Sequence, residues 1–100
     1  MIGGNNMDLS IDYEKTRKLG NQIIDKGTEF KGILDKLEQE NNEIKNSWKG
    51  SDSSKYTSAV EREIGNMRVL KQAIDDMGTF LINAANAYQR VNETNQEGVR

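Results

Sequence analysis

Lys49-Gly50-Ser51-Asp52-Ser53-Ser54, directly after Trp48, is a dense run of turn and capping residues set between two long periodic stretches. Gly50 suits a helix end that needs a left-handed residue, and Ser51 or Asp52 can cap the helix that follows. The chain is therefore expected to reverse here.

Upstream of this break, residues spaced by seven read Leu9, Thr16, Ile23, Phe30, Leu37 and Ile44, and those four further on read Tyr13, Gly20, Gly27, Leu34, Asn41 and Trp48. Downstream the repeat is cleaner. Val60, Met67, Ile74, Leu81 and Tyr88 alternate with Tyr56, Glu63, Leu70, Met77, Ala84 and Val91. A strict seven-residue apolar repeat keeps one stripe facing a partner helix and favours a left-handed supercoil. Met67, Met77 and Tyr88 accordingly read as core residues. Pairs four apart, Glu14/Lys18, Lys31/Asp35 and Lys71/Asp75, fit solvated flanks.

The chain has 100 residues and no proline, so long uninterrupted helices are permitted, and no alternating run offers a strand. The fold class expected is all-α, an antiparallel helical hairpin that associates into a four-helix bundle dimer. The sequence divides into a flexible N-terminus over 1–9, helix 1 over about 10–47, a turn over 48–52, helix 2 over about 53–93 and a flexible tail over 94–100. Ser10 reads as the first N-cap, with Asp12 and Glu14 in the positive first turn.

Composition narrows the chemistry. There is no cysteine and no histidine, which removes disulfides, thiolate metal sites and the commonest general base. Ser51, Ser53 and Ser54 stand beside Asp52 with no evident base to activate them, so capping explains them better. Asp75-Asp76 and Glu61/Glu63 lack the loop spacing of a cation site and read as solvated helix faces. The expectation is a non-enzymatic protein with no catalytic residue, no cofactor and no metal. Fourteen basic and sixteen acidic residues leave a net charge of −2, which provides no cationic field for nucleic acid. The N-terminus, with no basic region followed by an apolar one, is not expected to act as a cleavable signal. The longest apolar runs, such as Phe80-Leu81-Ile82, are far below the roughly 20 residues of a membrane span, so no stable membrane insertion is expected.

Each stripe is wider than one partner helix can cover. Leu19, Ile24 and Ile33 broaden the first, and Ala73, Phe80, Ile82 and Ala87 broaden the second. Two helices side by side form one seam with no enclosed interior, so further association is expected. Gly20, Ile23, Ile24, Gly27, Phe30, Leu34 and Phe80 are the residues assigned to a dimer or partner interface. Gly20 and Gly27, with Gly32 nearby, read either as a close helix crossing or as tolerated defects that soften the helix.

With these residues in place, Trp48-Lys49-Gly50 at the middle of a cysteine-free chain between two heptad-patterned helices resembles the WXG family of small type VII secretion substrates, the Esx or early-secreted-antigen-like proteins. Tyr56 adds an aromatic residue shortly after the bend. From the residues alone, Trp48 can plug the open end of the hairpin and Gly50 supplies the freedom for reversal, while a docking role for Trp48 stays open. The resemblance implies export without a cleavable leader, as a folded homodimer or a heterodimer with a related helical-hairpin protein, through a type VII secretion ATPase. An accessory or virulence-associated role rests on the resemblance alone. Many members carry a Tyr-x-x-x-Asp/Glu export motif after helix 2. Here Tyr88 is followed four residues later by Asn92, and the acid Glu93 lies one place further, about 100° around the helix. Tyr88, Asn92 and Glu93 are the export-signal candidates. Two other readings stay open: a cytoplasmic targeting partner that covers the helical leader of a larger toxin, and a generic coiled-coil adaptor.

Overall fold

Asp12 starts the first helix. Its carboxylate Oδ1 accepts a hydrogen bond from the Lys15 amide at 2.9 Å, and its carbonyl accepts the first helical bond, from the Thr16 amide, at 2.9 Å. This is the N-cap geometry that satisfies an otherwise unpaired donor. The computed structural model describes residues 11–99, with side chains from 11 to 94. The N-cap expected at Ser10 and the flexible segment expected over 1–9 lie outside the described residues. α1 runs Tyr13–Ser47 and α2 runs Ser51–Val99, and the described residues contain no strand. α2 extends beyond the end expected near residue 93, because nothing after the apolar period interrupts the backbone ladder until Gly98.

The chain forms two compact units, one of residues Asp25–Asp75 and one joining the segment that ends at Ile24 to the segment that begins at Asp76. The first unit contains the bend and is a helical hairpin. Its contacts run Asn41 to Thr57, Glu38 to Arg68 and Gly27 to Ile74, so the α2 partner number rises as the α1 number falls, which makes the pair antiparallel. Leu34 and Ile64 are buried at the middle of the seam, and Asn41, Ser53 and Thr57 are buried toward the bend. Thr57 returns its hydroxyl to the Ser53 carbonyl at 2.9 Å, and Asn41 Nδ2 donates to the Thr57 carbonyl at 3.0 Å.

In the second unit the same sense of pairing brings Gly20 against Gly78 and Ile82, and Arg17 against Asn86 and Gln89. Arg17 donates to Asn86 Oδ1 at 3.0 Å and to Gln89 Oε1 at 2.5 Å. A Cβ on Gly20 would stand 2.8 Å from the Gly78 carbonyl oxygen, and one on Gly78 would stand 2.6 Å from the Gly20 carbonyl oxygen. The helices touch backbone to backbone at this point, which only residues without side chains allow. Gly32 faces open space and takes no part in a crossing.

The seam of α2 is therefore not the stripe expected from its large residues. Thr57, Ile64, Gly78 and Ala85 occupy the buried row, while Val60, Met67, Ile74 and Leu81 are half-buried on its edge. Met77, expected in the core, is exposed, and so is Tyr88, at 41%. Lys71 and Asp75, expected on a solvated flank, pair at 2.5 Å half-buried beside Gly27. Close backbone approach explains the shift around Gly20 and Gly78, where only residues without side chains fit between the helices and Met77 is turned outward.

Candidate functional site

Ser47 closes α1 by returning its hydroxyl to the Glu43 carbonyl at 2.5 Å, and the Trp48 amide donates to the Ile44 carbonyl at 2.8 Å. Lys49 Nζ donates to the Lys45 carbonyl at 3.1 Å, placing positive charge where the helix dipole is negative. Gly50 then adopts φ 122°, a conformation L side chains rarely reach, and its carbonyl accepts the first bond of α2 from the Ser54 amide at 3.2 Å. Gly50 itself holds the cap position expected for Ser51 or Asp52. Asp52 lies in the first turn, where the dipole favours an acid.

Trp48 is 47% exposed, so it does not act as the buried plug that its place on the stripe suggested. Its ring instead leans on Tyr56, with centroids 6.0 Å apart and planes tilted by 49°. The two rings and Ile44, Ser47, Glu40 and Glu43 line a shallow groove of about 470 Å³.

Each unit has one polar and one apolar flank. In the unit Asp25–Asp75, Glu38 and Arg68 lie four residues beyond the seam residues Leu34 and Ile64, and they form an ion pair at 2.9 Å. Lys45 and Glu61, at the same offset from Asn41 and Thr57, are also an ion pair. Residues three beyond the seam fall on the opposite side of each helix. They are Leu37 and Ile44 on α1, and Val60 and Met67 on α2. Further out on this flank, Ile33 and Leu70 are exposed. In the other unit the exposed large residues on the corresponding flank include Leu19, Met77, Phe80, Tyr88 and Val91.

On the polar flank, Lys31 bonds to Asp35 at 2.9 Å and Arg68 bonds to it at 3.1 Å. The Lys31 hydrogen bond first and the Arg68 hydrogen bond second hold the Asp35 carboxyl below its ordinary value.

Of the residues assigned to a partner interface, Gly20, Gly27 and Leu34 are buried against the chain's own α2. Ile24 packs over Gly78 and is likewise engaged within its unit. Ile23 and Phe30 are half-buried on the apolar flank, and Phe80 is 71% exposed. Asn92 and Glu93 are exposed, and Glu93 accepts a hydrogen bond from Gln89 at 3.3 Å. Gly78 was missed as a crossing residue. Its signal lay in the row Thr57, Ile64, Gly78, Ala85, spaced by seven but broken by Lys71. No group of acidic residues that could hold a metal ion occurs among the described residues, and no helix there is long and apolar enough to cross a membrane.

Two helices, a glycine-dependent reversal beside an exposed tryptophan, and large apolar side chains left outside the seam define a small helical-hairpin protein. The WXG100 family, proteins of 100 residues with WXG, matches residues 8–93, and the chain belongs to it. The searches of curated proteins and of solved structures returned no match.

Proposed function

We propose that this member of a type VII secretion-associated family is a secreted, non-enzymatic protein that leaves the cell as a folded dimer. Two hairpins, packed by their apolar flanks, form the four-helix bundle. One observation supports this reading: the large apolar side chains Phe80, Leu70, Met77 and Ile33 are exposed on the flanks of their units, outside the buried seams. Burying four such side chains contributes about 1.5 to 3 kcal/mol each, comparable with the whole stability of a small domain. Self-association is therefore favoured over a lone hairpin. The type VII secretion ATPase is the proposed export partner, and Tyr88, Asn92 and Glu93, exposed on α2, are the proposed contact with it.

Two measurements test the proposal. Sedimentation of the purified chain should give a species of twice 11.3 kDa, and Phe80→Ser with Met77→Ser should dissociate it. In the native host, deletion of the secretion ATPase should remove the protein from the medium. A lone chain that is molten until a larger helical protein is co-expressed would replace the dimer with the targeting-partner role.

A further inference from the structure

The groove at the bend differs electrostatically from the polar flank of its unit. Acids on the polar flank are neutralised within the chain: Asp35 by Lys31 and Arg68, Glu38 by Arg68, and Glu61 by Lys45. Among the described residues, neither Glu40 nor Glu43 takes part in an ion pair, and no lysine or arginine lines the groove they share with Trp48 and Tyr56. Two carboxylates without an ion-pair partner therefore stand beside two half-exposed aromatic rings, with Lys36 in the neighbouring pocket and not in this groove.

We propose that this groove receives an arginine side chain of a partner protein. A guanidinium is flat, weakly hydrated and permanently charged, so it stacks on an indole or phenol face and presents a fork of donors to a carboxylate at its edge. The groove offers both elements side by side. An acidic side chain would meet like charge from Glu40 and Glu43. A purely apolar side chain would desolvate both carboxylates without giving them a partner, which is costly. A lysine ammonium satisfies the charge but keeps its hydration and cannot stack, so it ranks below arginine. Ile44 supplies an apolar floor for the aliphatic stem of the incoming residue. This assignment stands on the groove's own chemistry and requires neither export nor self-association.

Trp48 is the sole tryptophan, so its emission reports on the groove directly. The whole chain is titrated with a capped six-residue glycine peptide bearing two arginines, and with matched peptides bearing lysine or glutamate instead. The arginine peptide should shift Trp48 emission saturably, the lysine peptide should bind more weakly, and the glutamate peptide should do nothing. Glu40→Gln combined with Glu43→Gln should weaken arginine binding about three- to tenfold, the range for two solvent-exposed charge contacts. Added salt should weaken it in the parent and less in the variant. Glu38→Gln, on the other flank, should leave it unchanged, and far-UV circular dichroism should show that all variants remain helical. No saturable shift, an equal response to the glutamate peptide, or an unchanged affinity in the double variant would overturn the proposal. A Trp48 shift that follows chain concentration in place of added peptide would assign the groove to contact between copies and would overturn it equally.

Discussion

Gly20 and Gly78 meet backbone to backbone, each carbonyl oxygen within 3 Å of the place a Cβ on the other would occupy. Neither obstacle is the end of a flexible side chain, so an added methyl must separate the helices. Gly20→Ala and Gly78→Ala should each lower stability by about 1 to 3 kcal/mol, the usual cost of overpacking, despite the gain of up to about 1 kcal/mol in helix propensity. Gly65→Ala, where nothing lies within 4 Å, isolates the propensity gain and should stabilise. Urea midpoints of the three variants provide the check.

Gly27 poses a different problem, because its would-be Cβ lies 2.5 Å from Asp75 Oδ1, a buried oxygen with no hydrogen-bond partner, while Oδ2 is held by Lys71. Here the obstacle is a side chain. Gly27→Ala should destabilise the parent yet become neutral or stabilising once Asp75→Ala removes the carboxylate. A double-mutant cycle should show a coupling of about 1 kcal/mol, and additive effects would contradict the arrangement.

Gly50 is strained by conformation and not by crowding, since φ is 122° and a Cβ there would meet nothing within 4 Å. Gly50→Ala should cost about 1 to 3 kcal/mol. Gly50→Asn should rescue little, because asparagine tolerates a left-handed helical φ near +57°, well short of this value. Thermal melts check both, and in them Gly32→Ala, in open space on a helix, should stabilise.

Asp35 predicts an acid-side dependence. Its folded pKa lies below the ordinary value of 3.8, so its contribution is present above that value and is lost as the pH falls through the folded one. Unfolding midpoints of the parent should drop as pH is lowered from about 4, and Asp35→Asn should flatten that part of the curve. Because the carboxylate faces solvent, raised salt should shrink the difference between the two proteins.

Much of the candidate site was legible in the order of residues. Trp48, Gly50 and Tyr56 are all at the bend, where the chain's capping residues placed them. What periodicity did not show was the exposure of Trp48, because a heptad position says which face a residue lies on and not whether anything covers it. Glu40, Glu43, Ile44, Ser47 and Trp48 share one face of α1 by spacing alone, but that Tyr56 of α2 would lean on Trp48 and close the groove depended on the pairing across the seam.

The absence of proline, the two apolar repeats and the capping run after Trp48 were enough, by themselves, to set two long helices and the place of reversal, because these are properties of local backbone and of spacing. Which row of α2 would become the seam was decided by tertiary structure alone. Thr57 and Val60 lie only about 60° apart around the helix, so both rows keep the same period and both read as a stripe. In the unit that holds them, contact between Gly20 and Gly78 resolved the choice, because a backbone pressed that close admits only small residues between the helices; in the unit Asp25–Asp75, Leu34 and Ile64 fill the seam instead.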